Sequence, residues 1–199
     1  GDVTSKPSIA VSELAAQDNM PMITATSTAY DVTTPGPNIF RACFLDPYQG
    51  EMMGTYAAND MGVKTAAIIY NNSDDYSTGL AESFKAKFEE LGGTVVAYEA
   101  YASSDIDYKA QLTNIADKNP EVVFMPDYYN RVAMIVKQAR EAGLNVPFLG
   151  ADGWDGLLTV VDDPIILDGC FFCNHYSTQD EDENVQNFLK SFEEKYNET

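Results

Sequence analysis

The chain has 199 residues, enough for a substantial core and one or two domains. Its 31 acidic against 12 basic residues give a net charge of −19. That balance argues against nucleic-acid or anionic-membrane partners, which carry the same sign of charge, and no apolar run approaches the roughly 20 residues of a membrane-spanning helix.

Helix-like and strand-like segments alternate along the chain. A helical stretch over 8–18 precedes "PMITA" (21–25), a short strand. A second helical stretch, 48–61, leads into "KTAAIIY" (64–70), an apolar run of strand length. "STGLAESFKAKFEELGG" places Leu80, Phe84, Phe88 and Leu91 on one helical face and ends in two glycines, a helix stop. Strands follow at 94–101, 121–126, 146–150 and 168–174, separated by helical patterns near 107–119 and 130–142. A last helix spans 183–196 and carries Val185, Phe188, Leu189, Phe192 and Tyr196. Such alternation predicts parallel βαβ units and an open sheet covered on both faces.

In open α/β sheets ligands bind beyond the carboxyl ends of the strands. Four polar loops stand there: "TSTAYD", "NNSDDYSTG", "DYYN" and "ADGWDG". The last belongs to "GADGWDG" (150–156), which sets an acid and the chain's one tryptophan among three glycines. Asp152 is suited to hold an ammonium group, with Trp154 covering it or an apolar tail; a simple capping role for Asp152 is the competing reading. "TSKPS" (4–8) puts hydroxyls at a helix start, a place for an anion such as a carboxylate, although N-capping alone explains it. "ATSTA" (25–29) adds short donors, and Tyr76 and Tyr128 offer rigid walls. Together these describe an anion end, a cation end and apolar sides, the outline of a free amino acid.

Catalytic signatures are absent: there is no P-loop, G-x-G-x-x-G, H-E-x-x-H or G-x-S-x-G. His175 is the only histidine. Cys170 and Cys173 lie three apart in a strand-like run and so point to opposite faces, which disfavours joint metal ligation. With Cys43 they are expected to be buried small hydrophobes. "DEDEN" (180–184) starts like a calcium loop, but Val185 stands where that loop needs glycine, and a solvated helix start fits it better. No cofactor and no metal are expected.

As a set, "TSKPSIAVSELAAQDNMPMITATSTAYDVT", "FRACFLDPYQG", "IIYNNSDDYSTGLAESF", "DYKAQLTNI", "VVFMPDYYNRVAMIVKQAREAGL", "PFLGADGW" and "NHYS" resemble the type I periplasmic binding proteins of the leucine/isoleucine/valine class, which feed ABC importers. The resemblance covers nearly the whole chain. It implies two Rossmann-like three-layer α/β lobes closing on an amino acid. It also implies that the sequence is an internal piece, with lobe 1 partial (1–46), lobe 2 complete (47–174) and a return toward lobe 1 (175–199). Hinge crossings are then expected near Leu45–Asp46 and His175–Ser177.

In the family pattern Ser5 and Thr28 match positions that bind the ligand carboxylate, and Ser27 and Thr28 match the pair that meets the ammonium, Ser27 through its carbonyl. Asp152 matches the ammonium-pairing acid, usually glutamate in the best-known members; the shorter Asp is a departure. Tyr76 and Tyr128 match wall positions. A contact of Trp154 with ligand is expected from its place beside Asp152. The implied function is an extracytoplasmic solute-binding component for branched-chain or similar amino acids, periplasmic or at the cell surface, lipid anchoring included, working with a membrane permease. A sensing ectodomain of the same fold, a binder of another amino acid or small carboxylate, and a flavodoxin-like enzyme are the alternatives.

Overall fold

The computed structural model describes residues 2–197. In chain order the elements are α1 (Ser5–Gln17), β1 (Met22–Thr24), β2 (Ile39–Arg41), α2 (Asp46–Thr55), β3 (Thr65–Asn71), α3 (Asp75–Glu90), β4 (Thr94–Tyr101), α4 (Lys109–Asp117), β5 (Val122–Phe124), α5 (Tyr129–Glu141), β6 (Phe148–Gly150), β7 (Phe171–Phe172) and α6 (Glu183–Tyr196). Short 3-10 turns cover Tyr30–Thr33, Asp152–Trp154, Leu157–Thr159 and Pro164–Leu167.

Two sheets form. β1 and β2 pair in parallel, and the larger sheet runs β4-β3-β5-β6-β7 with every pairing parallel. Residues of β3 alternate between two cores. Ala66 and Ile68 face Leu80, Phe84 and Phe88 of α3 and Met53 of α2. Ala67 and Ile69 face Leu112 and Ile115 of α4 and Val132, Ile135 and Val136 of α5. A strand covered by helices on both sides must be apolar at consecutive positions, which is why "TAAIIY" carries no polar alternation. Phe84 stacks on Phe124 with ring centroids 4.2 Å apart, locking α3 to the sheet centre.

The order β4-β3-β5 means that the chain leaves β3 for one side and later returns to the other. The crevice at the carboxyl ends of β3 and β5 is therefore the switch point of this sheet, where an open α/β fold offers its ligand site. Tyr76 and Tyr128 sit on the loop-to-helix junctions after those two strands.

Several element limits differ from the sequence reading. α1 begins at Ser5 rather than Ser8, because Pro7 in the first turn needs no N–H partner. α2 also begins earlier, at Asp46, and continues through a π-helical turn over Tyr56–Asp60. The stretch 168–174 contributes only Phe171 and Phe172 to the sheet, as its edge strand. β2 has no counterpart in the sequence reading; three residues are too few for a periodicity to register. Cys170 and Cys173 do pack into opposite cores, but only Cys173 is buried, while Cys43 and Cys170 are partly exposed. The apolar stripe of α6 faces outward, with Phe188 55% exposed.

Candidate functional site

A cavity of about 250 Å³ opens at the switch point. Ser5, Thr28, Tyr76, Tyr128, Asp152 and His175 are among its lining residues. Five of the seven site residues named from the sequence are thus brought together. Ser27 and Trp154 are placed elsewhere.

At one end stands the start of α1. Ser5 is its first residue, and the preceding Thr4 makes no side-chain cap. Helix N–H groups and their partial positive charge point to this end of the cleft. The Ser5 hydroxyl accepts a hydrogen bond from Ala29 N at 3.1 Å, which ties the helix start to the loop after β1. Thr28 lies on that loop, and its carbonyl accepts from Asp46 N at 3.0 Å. The Tyr128 hydroxyl faces the Ser5 backbone N–H.

Ser27 braces this end from behind. Its hydroxyl shares a 2.7 Å hydrogen bond with Ser8 Oγ, and its N–H donates to Thr24 Oγ1. Its carbonyl accepts from the Arg41 guanidinium, which also holds Ala29 O at 2.7 Å. The carbonyl that the family pattern gives to the ammonium is therefore already held by a cation, and Ser27 is 1% exposed.

At the other end Asp152 follows β6. Its Oδ1 accepts from Tyr76 Oη at 2.8 Å and from Gln49 Nε2 at 3.0 Å, and Gln49 Oε1 in turn accepts from Asp152 N at 3.1 Å. Its Oδ2 lies 3.4 Å from His175 Nε2. Burial, and then the Asp152 charge, push the Tyr76 hydroxyl well above the usual phenol range, so it stays a neutral donor. Tyr76 stacks on Tyr128 at 4.8 Å, and His175 stacks on Phe44 at 4.3 Å. Two rigid aromatic faces thus flank a fixed carboxylate.

The glycines of "GADGWDG" have separate reasons. A Cβ on Gly153 would lie 2.7 Å from Tyr76 Oη and 3.0 Å from Asp127 O, so glycine lets the loop reach the tyrosine. A Cβ on Gly150 would lie 2.1 Å from the Trp154 ring. Trp154 is accordingly a core residue: its indole packs over the end of β6, and its N–H donates to Met125 O at 2.9 Å. It is not among the residues lining the cavity, because the turn from Asp152 to Trp154 sends neighbouring side chains to different sides.

Asp46, Gln49, Phe44 and His175 were not among the site residues expected from the sequence, although Asp46 and His175 mark the expected hinge crossings. All four lie in segments that carried the resemblance, "FRACFLDPYQG" and "NHYS". Asp46 is 1% exposed, and its Oδ2 has no hydrogen-bond partner. Burial raises its pKa to about 7, and the neighbouring Asp152 adds to the rise.

The sequence profile of the family described as "Periplasmic binding protein" matches residues 1–199. A Leu/Ile/Val-binding protein homologue of Brucella melitensis is 32% identical over 154 residues, covering 77% of this chain and 42% of its own length. An amino acid binding protein of Pseudomonas aeruginosa is 33% identical, with 85% and 46% covered. Among solved structures, the leucine binding protein LivK of Thermotoga maritima superposes with a TM-score of 0.90 at 32% identity, covering 100% of this chain and 57% of that one. The branched-chain amino acid transporter substrate-binding protein LivJ of Streptococcus pneumoniae, in complex with isoleucine, gives 0.83 at 28% identity with the same coverage.

The chain belongs to the periplasmic binding protein family, and its α/β architecture is that of the type I members. It spans a little under half the length of the curated relatives it matches.

Proposed function

We propose that the protein is the extracytoplasmic solute-binding component of an ABC importer and binds a branched-chain or similar aliphatic α-amino acid in the cleft. Ser5 and Thr28, with the N–H groups at the start of α1, take the ligand carboxylate. Asp152 takes the ammonium, and Tyr76 and Tyr128 flank the body of the ligand. The observation that carries this reading is the pairing, within one cavity, of an uncapped helix start with a carboxylate held rigid by Tyr76 and Gln49. The names of the relatives, leucine and Leu/Ile/Val binders among them, support the same ligand class.

In this reading residues 1–46 and 175–199 belong to one lobe and 47–174 to the other, with crossings near Leu45–Asp46 and His175–Ser177. Ligand draws the lobes together, and the closed form is what a membrane permease recognises. The compartment is the periplasm or the cell exterior. Among the described residues no helix is long and apolar enough to cross a membrane.

A thermal-shift screen of the natural-length protein against amino acids and small carboxylates tests the proposal. A ligand at a hundred times its Kd adds about 2.7 kcal/mol of apparent stability. The expected result is stabilisation by an aliphatic amino acid that is lost in Asp152→Ala and Thr28→Ala. Stabilisation by a ligand without an ammonium group, indifferent to Asp152, would overturn it.

A further inference from the structure

Asp46 is out of place as a structural residue. It sits at the first position of α2, buried, with Oδ2 unpartnered, Gln49 Nε2 3.5 Å from Oδ1 and the Thr28 hydroxyl beside the carboxyl group. A buried carboxylate without compensating hydrogen bonds is costly, and a native fold retains one where it has work to do. Its surroundings indicate what that work is. Thr28 and Asp152 flank its carboxyl group, and its charge is felt at Tyr76 and Tyr128. All four of these residues line the cavity; Asp46, 1% exposed, lies one layer behind them and is reached by a cation that inserts between Thr28 and Asp152. Gln49 donates to Asp46 and to Asp152 alike, so the two acids are near neighbours.

We propose that Asp46 is a second acidic ligand-binding residue, whose Oδ2 accepts one N–H of the ammonium group while Asp152 accepts another. The inference rests on the amino-acid reading above and deepens it. An ammonium group has three N–H donors. Asp152 Oδ1 is committed to Tyr76 and Gln49, and Oδ2 is shared with His175. Asp152 and the Thr28 hydroxyl supply two acceptors, and the Ser27 carbonyl is held by Arg41, so a third acceptor is wanting. A cation placed between Thr28 and Asp152 lies beside Asp46, whose buried Oδ2 has no hydrogen-bond partner.

Binding is then linked to a proton. Burial holds Asp46 protonated up to about pH 7, helped by Asp152 and by Asp74 ahead of α3, and opposed by the Thr28 hydroxyl and by Arg41 on β2. The other titratable neighbours, Cys43, Cys173, Tyr76 and Tyr128, are all pushed upward and stay neutral. An arriving ammonium favours the ionised carboxylate, so Asp46 gives its proton to solvent as ligand binds. Affinity therefore rises with pH toward 7, by up to about tenfold per unit, and levels off above it.

The test is calorimetric titration of L-leucine into the natural-length protein at pH 6 and pH 8.5, each in two buffers of different ionisation heat. The expected result is release of close to one proton at pH 6 and almost none at pH 8.5. Asp46→Asn should bind about 10- to 100-fold more weakly at pH 8.5 and lose the pH response. If L-leucine binds, and Asp152→Ala abolishes binding while Asp46→Asn retains wild-type affinity and pH response, this inference is overturned and the amino-acid reading stands. If neither L-leucine nor any other amino acid binds the wild type, the functional reading itself fails. Should Asp46→Asn not fold, the wild-type proton count decides, and buffer-independent heats at pH 6 overturn the inference.

Discussion

The Tyr76 hydroxyl donates to Asp152 Oδ1 at 2.8 Å and accepts from Gly153 N at the same distance. One phenol thus fixes both the acid and the backbone of the loop that carries it. Tyr76→Phe removes both bonds and leaves a loop N–H unpaired. Stability should fall by about 1–3 kcal/mol, the range for an orphaned polar group. Affinity for an amino acid should fall several-fold, because Asp152 is no longer held in one rotamer. Chemical denaturation and titration calorimetry read the two effects separately.

Gly153→Ala tests the close approach of that loop. A methyl group 2.7 Å from Tyr76 Oη displaces either the ring or the loop. The expected outcome is about a tenfold loss of affinity with under about 2 kcal/mol lost from stability, in the range of ordinary overpacking. Wild-type affinity in this variant would mean that the Tyr76 contact does not position Asp152.

Trp154→Phe should behave in the opposite way. The indole fills the space above Gly150 and donates to Met125 O, which also accepts from Asp127 N, so the substitution should cost about 1–3 kcal/mol of stability, chiefly through lost packing. Amino-acid affinity should change by less than about threefold, a bound set by the indole's place in the core. A large loss of affinity without a loss of stability would bring the indole back to the ligand.

A pH titration of stability isolates Asp46. In the unfolded chain this carboxyl ionises near pH 4, whereas in the fold burial holds its proton up to about pH 7. Between those values the folded state binds more protons than the unfolded state, so this residue's contribution falls as pH rises and is constant above about pH 7. Asp46→Asn should therefore match the wild type near pH 4 and exceed it by about 2–4 kcal/mol at pH 8 without ligand. Urea denaturation at the two pH values checks this. Equal stability at both would mean that the carboxyl is solvated after all.

The sheet was legible in the sequence where burial repeats in a pattern. β4 and α6 match their expected limits, and the run into β3 with its following helix needed only small shifts. β2 was hidden because three paired residues leave no periodic trace, β7 was placed but expected longer than its two paired residues, and α2 was misjudged at its start because Asp-Pro reads equally well as a turn. Of the candidate site residues, Ser5, Thr28, Tyr76, Tyr128 and Asp152, named from loop chemistry and the family resemblance, line one cavity. Asp46 and Gln49 were not named, since a letter does not reveal that a carboxyl is buried or that an amide reaches across the fold. Trp154 shows the converse error: adjacency to an acid along the chain said nothing about the direction of its ring.

The hydrogen bonds that hold the Asp152 carboxylate come from Tyr76, 76 residues away, and Gln49, 103 residues away. By contrast, β3 and β4 pair across a single intervening helix. Closing the longer loops carries more chain entropy and depends on the sheet already being ordered as far as β6. No partly folded form that lacks β6 can assemble the end of the cavity that carries Asp152. Under the proposed function, ligand binding would report that β6 has docked, and a binding-active fraction measured during refolding would count only such chains.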